Sequence, residues 1–220
     1  MKKILHIIPA IIIVVTMFCR TGTAEPDGLA ISAKAGTLGL GGELIANIAP
    51  SLNARVGGNI LSFGIDAKAS DIDYKFGIDM RSFTALLDWH LFNNSFRISG
   101  GILVNQNEAS MTATPSNSVM IGGNPYTPAE IGTLSGELTY DKEIAPYIGI
   151  GWGNPFDSKG KFGFMLDLGV AFTGSPGISL SASNPAVSPA DLEAERADIE
   201  NELHKYNFYP VLSLCLYYRF

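Results

Sequence analysis

From residue 29 onward the chain repeats one pattern, alternation of apolar with small or polar residues over segments of about ten positions. Phe162, Phe164, Leu166, Leu168, Val170 and Phe172 alternate with Gly163, Met165, Asp167, Gly169 and Ala171. Leu52, Ala54, Val56, Gly58 and Ile60 alternate with Asn53, Arg55, Gly57, Asn59 and Leu61. The same split recurs along Phe83 to Leu91, Phe96 to Asn105 and Ile144 to Gly153. Side chains two apart share one face of a strand, so a period of two predicts an all-β chain and excludes a helical bundle.

Such alternation fits a soluble sandwich, a lipocalin-like barrel or a membrane barrel. A sandwich exposes its polar face to water and fills it with Lys, Glu and Thr. Here the less apolar face is largely Gly, Ala and Ser, which suits the crowded inside of a small barrel. Charged residues are 16% of the chain, against about a quarter in ordinary domains. The connections also alternate in length. Ala49–Ser51, Asn93–Asn94 and Asn154–Gly160 are short, whereas Gly64–Asp71, Glu108–Thr133 and Gly174–Tyr206 are long. Short periplasmic turns and long external loops mark outer-membrane barrels.

The first 24 residues read as a secretory leader: Lys2 and Lys3, an apolar run from Ile4 to Cys19, then the small residues Gly22, Thr23 and Ala24. Cleavage is expected after Ala24, leaving 25–220 as the barrel domain. The competing reading is an uncleaved anchor, but this run is short for about 30 Å of hydrocarbon and is interrupted by His6 and Pro9. Processing takes three cations and no acid from a net charge of −6, leaving −9. So acidic a surface excludes nucleic acid as a partner. Cys215 becomes the one remaining cysteine, which rules out an internal disulfide and a Cys-rich metal site.

Strands are expected near 30–36, 38–48, 51–63, 73–92, 94–106, 134–153, 161–173 and 207–220. These make an eight-stranded antiparallel transmembrane β-barrel whose first hairpin, turning near Gly36–Thr37, is the weakest element. In the last strand Leu212, Leu214, Leu216, Tyr218 and Phe220 alternate up to the final residue. That ending is similar to the terminal strand recognised by the barrel-assembly machinery. Eight strands leave an interior filled by side chains. The inward charges are then Lys34, Glu43, Arg55, Asp88, His90, Arg97, Asp167 and Arg219. Glu43 with Arg55, and Asp88 with Arg97, lie on neighbouring strands, and an unpaired buried charge is costly, so pairing across the lumen is expected. The alternative use of such charges is a proton or ion path.

Catalytic chemistry is thin. After processing only His90 and His204 could serve as a nucleophile's base, no two histidines have metal-ligand spacing, and no cofactor is expected. Ser188-Pro189-Ala190-Asp191 starts a helix in the last external loop, with Ser as cap, Pro at its first position and an acid in its first turn. Through Lys205 it carries six acids and a thin stripe of Leu192, Ile199 and Leu203. It is either a solvated surface helix or a binding element.

Leu86-Leu87-Asp88-Trp89-His90, Ala145-Pro146-Tyr147-x-Gly149-x-Gly151-Trp152-Gly153-Asn154, Leu166-Asp167-Leu168-Gly169-Val170 and the Tyr218-Arg219-Phe220 ending resemble a group of small proteobacterial outer-membrane barrels. That group is similar in architecture to OmpX, OmpW and the OmpA transmembrane domain. The resemblance implies the outer membrane as location, with its lipid and lipopolysaccharide and the assembly machinery as partners. It implies no activity. The expected role is therefore structural or surface-interacting and non-catalytic. The alternatives are a narrow channel for small or hydrophobic solutes and a lipid A-modifying enzyme.

Overall fold

The computed structural model describes residues 28–69, 72–91, 94–140, 142–157 and 160–220. The leader and its cleavage point lie outside them.

Eight antiparallel strands close a ring. In ring order they are β1 (Leu29–Gly36), β2 (Gly39–Ala49), β3 (Leu52–Ala69), β4 (Ile72–His90), β5 (Phe96–Asn105), β10 (Ile144–Trp152), β11 (Phe162–Ala171) and β13 (Tyr209–Arg219), which returns to β1. The chain is thus an eight-stranded transmembrane-type barrel. The alternating residues stand as their period requires: Ile148, Trp152, Phe164, Leu168, Leu212 and Leu214 point outward, and the intervening residues are buried. Trp89, Trp152, Phe162 and Phe220 ring the end with the short turns, an aromatic girdle at a membrane boundary. The first hairpin pairs in full register from Leu29↔Ala46 to Gly36↔Gly39. The change of apolar parity there comes from a two-residue turn at Thr37-Leu38, closed by Gly39 at φ +99°, a conformation that favours glycine.

The long connections differ from expectation. The span 134–153 is not one strand: β9 (Leu134–Tyr140) ends before β10 begins. Residues 108–133, expected to form a long external loop, contain β6 (Glu108–Thr114), β7 (Val119–Ile121), β8 (Asn124–Tyr126) and the short helix α1 (Pro128–Ile131). Residues 174–206 contain β12 (Pro176–Ala182) and α2 (Pro189–Leu203). β3 and β4 run far past the barrel, so Gly64 lies within a strand. Above the barrel, β4 exchanges its partner: Ser82–His90 pairs with β5, whereas Asp73–Asp79 pairs with β6. β6 pairs with β9 and β9 with β12, giving a five-stranded sheet, β3–β4–β6–β9–β12, on the side of the long connections, which is the extracellular side in barrels of this kind.

That sheet is amphipathic. One face carries the rungs Phe63–Ile78–Ala109–Leu138–Ile178 and Ile65–Phe76–Met111–Gly136–Leu180. The other carries Ser62–Asp79–Glu108–Thr139 and Asp66–Lys75–Thr112–Ser135. The apolar face continues the lumen-facing rows of β3 and β4, because neither strand is bulged along their pairing.

Candidate functional site

Inside the ring six charges form one network of three cations and three anions. Arg55, 1% exposed, lies at its centre. Its guanidinium is 3.2 Å from Glu43 on β2 and 3.1 Å from Asp167 on β11, and donates to Asp88 on β4 at 3.1 Å. Its Nε lies 2.6 Å from the second Asp88 oxygen but off the hydrogen-bond axis, so that contact is purely one of charge. Lys34 donates to Glu43 at 2.8 Å. Arg97 donates to Asp167 at 2.6 Å and to the Gly153 carbonyl at 2.5 Å, and Ser99 donates to Asp88 at 2.6 Å. β3 and β11 are four steps apart in a ring of eight, so the Arg55–Asp167 pair spans the lumen.

Full pairing and near-zero net charge are what make such burial tolerable, since each isolated charge would cost several kcal/mol. The glycines of the inner face provide the room. A Cβ on Gly151 would fall 2.7 Å from Arg97 Cζ, so only glycine lets that guanidinium lie against β10. What space remains beside Lys34, Glu43, Arg55 and Asp167 is a void of about 10 Å³, enough for about one water.

The network therefore joins Lys34, Glu43, Arg55, Asp88, Arg97 and Asp167. His90 is buried below it, with Nε2 2.9 Å from Asn53 and Nδ1 3.2 Å from the Asn94 carbonyl. Both ring nitrogens are occupied. Arg219 is not part of the cluster. It is half-buried at the rim that carries the short turns and makes no ion pair among the described residues, because its strand ends there and the inward row opens to solvent. Leu212, Leu214, Leu216 and Phe220 face outward, and Tyr218 packs between Phe162 and Phe220, with centroids 4.8 and 5.5 Å away.

The second constellation crowns the extracellular sheet. Ile121, Ile131 and Val187 form a small buried core, against which Leu134, Ala182 and Leu192 pack. Ser188 caps α2 by accepting from the Ala190 N–H at 3.2 Å. Tyr126 donates to Asp191 at 2.5 Å, the Gly122 N–H to Glu195 at 3.0 Å, and the Ile178 N–H at the free edge of β12 to Glu200 at 3.1 Å. The acids of α2 thus hold the hairpin β7–β8 and shield a sheet edge. Glu193 is held below the usual carboxylate range by its hydrogen bond to Arg196, and the Tyr126 phenol is raised by its hydrogen bond to Asp191.

No protein-family model matches the sequence, and no curated protein does. Among solved structures, CarO2 of Acinetobacter baumannii superposes with a TM-score of 0.63 at 24% identity, covering 88% of this chain and 98% of that one. The fold is that of a small outer-membrane β-barrel. CarO of the same organism gives a TM-score of 0.61 at 21% identity, with the same coverages. At such identity the likeness extends to architecture alone.

Several partners in these sites carry no charge and gave no signal by charge counting: Ser99, Asn53, the Gly153 carbonyl, Tyr126. The extracellular sheet did leave a trace. Along β3 the apolar residues occupy even positions through Ile60 and odd positions from Leu61, although the strand has no turn there. That switch marks where the chain leaves the membrane.

Proposed function

We propose that this is an integral protein of the bacterial outer membrane that neither catalyses nor conducts, and that its working part is the extracellular sheet with its α2 cap. The observation that carries this reading is the contrast between a lumen closed by six mutually paired charges and five strands built out into the medium. A barrel serving passage would not place a diametric Arg55–Asp167 bridge across its middle. Absence of catalysis is supported by His90, whose two nitrogens are both engaged within the wall. In this reading lipid and lipopolysaccharide surround the apolar belt, and the outward row Leu212 to Phe220 is the segment presented to the barrel-assembly machinery.

Planar-bilayer recording on residues 25–220 refolded in detergent tests it. Folded protein is identified by a gel mobility that changes on boiling. The expected result is silence from protein folded by that criterion. Reproducible single-channel steps would overturn the reading and make Arg55, Asp88 and Arg97 the lining of a pore.

A further inference from the structure

The five-stranded sheet ends in two edges, and the chain treats them differently. At one edge α2 lies against β12, and Glu200 accepts the Ile178 N–H at 3.1 Å. The other edge is bare. β3 pairs with β2 only as far as Leu40↔Ile60, so beyond that point it has β4 on one side and no strand on the other among the described residues. Its side chains from Ser62 to Lys68 are all exposed, Phe63 by 41% and Ile65 by 54%. Such an edge offers a row of backbone N–H and C=O groups to any chain that can lie beside it.

Edges are ordinarily guarded by charge, and a guard of one sign would repel a second copy. Here both signs are present in a fixed order. On the polar face Asp66 stands opposite Lys75, and Lys68 stands opposite Asp73 at 3.5 Å. Residues directly opposite in a sheet share a face, so two antiparallel copies of β3 must be centred on a residue that faces itself. A centre before Ile65 would drive the tip of the second copy into β2. Centring on Ile65 leaves Asp66 opposite Gly64 and Lys68 opposite Ser62. Centring on Asp66 or on Lys68 sets like charges together. Centring on Ala67 sets Asp66 of each copy against Lys68 of the other. The rung across four strands then reads Asp73, Lys68, Asp66, Lys75, with the signs alternating throughout.

The direction of β3 decides where the second copy stands. β3 rises out of the barrel without a bulge, so copies in one membrane present it pointing the same way. An antiparallel partner is a copy in an opposing membrane, met tip to tip. We infer that the bare edge of β3 joins this protein to a second copy of itself in an apposed outer membrane, by antiparallel pairing centred on Ala67. The inference rests on the reading of the extracellular sheet as the working part. The overlap is short, so one pair is weak, and many pairs between two membranes act together.

The test is clustering of phosphatidylcholine vesicles that carry residues 25–220, followed by light scattering, with folded protein identified by its mobility change on boiling. Wild-type vesicles should cluster, and less so at high salt, which screens exposed charge pairs. Asp66→Lys leaves two cations on the edge and Lys68→Asp two anions. Each variant alone sets like charges together and should cluster roughly tenfold more slowly. Mixing the two variant populations should restore clustering, because cation again faces anion across the edge. Ala67→Cys gives a readout independent of charge. Facing Cα atoms in a sheet are about 4.5–5.5 Å apart, within disulfide range, and Cys215 is buried, so mild oxidation should link two copies through position 67. With a size tag on the protein of one vesicle population, tagged-to-untagged dimers are expected. Dispersed wild-type vesicles, single variants that cluster as wild type does, a mixture that stays dispersed, or the absence of tagged-to-untagged dimers would each overturn the inference. Dispersed vesicles together with a silent bilayer would overturn it alone and leave the reading of a closed barrel standing.

Discussion

β3 and β4 pass through two environments, and their two halves are built in opposite ways. Within the membrane their outward residues are Val56, Ile60, Phe83 and Leu87, and their inward residues are Arg55, Asn59, Ser82 and Asp88. Above it the outward residues are Ser62, Asp66, Lys75 and Asp79, and the inward residues are Phe63, Ile65, Phe76 and Ile78. The register is unbroken from Leu52↔Trp89 to Ala69↔Ile72, so no bulge rotates the strands. What changes is the medium outside. In lipid the outer face must be apolar and the lumen takes the charges; in water the outer face must be polar and the inner face collects the hydrophobes. One hairpin thus records the membrane boundary as an exchange of parity.

The largest effect is expected where the lumen is broken. Arg55→Met removes the partner shared by Glu43, Asp88 and Asp167, and breaking a buried pair from one side costs about 3–5 kcal/mol. Denaturant unfolding in detergent should show that loss. A cost below about 1 kcal/mol would mean that water enters the lumen freely and that the plug is not dry. Next comes the exchange of parity itself. Ile148→Lys, outward at mid-barrel, should cost about 2–4 kcal/mol in phospholipid vesicles. Ile65→Lys, inward on the extracellular sheet and already 54% exposed, should cost under about 1 kcal/mol. Equal costs would show that the upper hairpin also meets lipid.

The same contrast explains what was readable from residues alone. The barrel announced itself because lipid forces a strict apolar row on every strand, and eight such rows are hard to miss. Six lumen charges followed from parity, but Arg219 has that parity and still escapes the network, since parity says nothing of distance from the rim. The extracellular sheet stayed hidden for a physical reason. Water on its outer face admits Ser, Thr and Gly there, its strands β6, β9 and β12 are seven residues each, and Pro and Gly separate them. Such segments look like loops until they are paired. The helix, by contrast, was readable from Ser188 and Pro189 because capping is local chemistry. Its expected bounds agree with α2, although its acids serve mainly as hydrogen-bond acceptors for the cap.

A smaller effect sharpens the upper half of the comparison. Ser188→Ala removes the α2 N-cap and should cost the helix about 1 kcal/mol. Because α2 packs chiefly on β12 and β7, both outside the eight-stranded ring, the loss should appear as faster amide exchange in α2 and not as a changed gel mobility. A drop in the unfolding midpoint of the whole barrel would show instead that cap and barrel unfold together.

The smallest effect is set by pH. Tyr126 donates its hydroxyl proton to Asp191, so ionising the phenol would place two negative charges in contact. Its pKa is therefore raised above the ordinary value of 10. A group whose folded value is raised in this way contributes fully below 10 and loses that contribution as pH rises through the folded value. Glu193 and Glu130 lie on the opposite arm. Their pKa values are lowered from 4.5, by the hydrogen bond to Arg196 and by the Thr127 N–H, so their contribution holds above 4.5 and disappears as pH falls through the lowered values. The cap should then be insensitive to pH between these arms and loosen beyond each. The Val187 methyl resonances, buried where the cap meets the sheet, should shift only above pH 10 and in the acid range. Tyr126→Phe should abolish the alkaline shift and leave the acid one, because it removes the titrating proton without touching Glu193. If the alkaline shift persists in that variant, the loosening belongs to another group, and the Tyr126–Asp191 bond does not hold the cap in place.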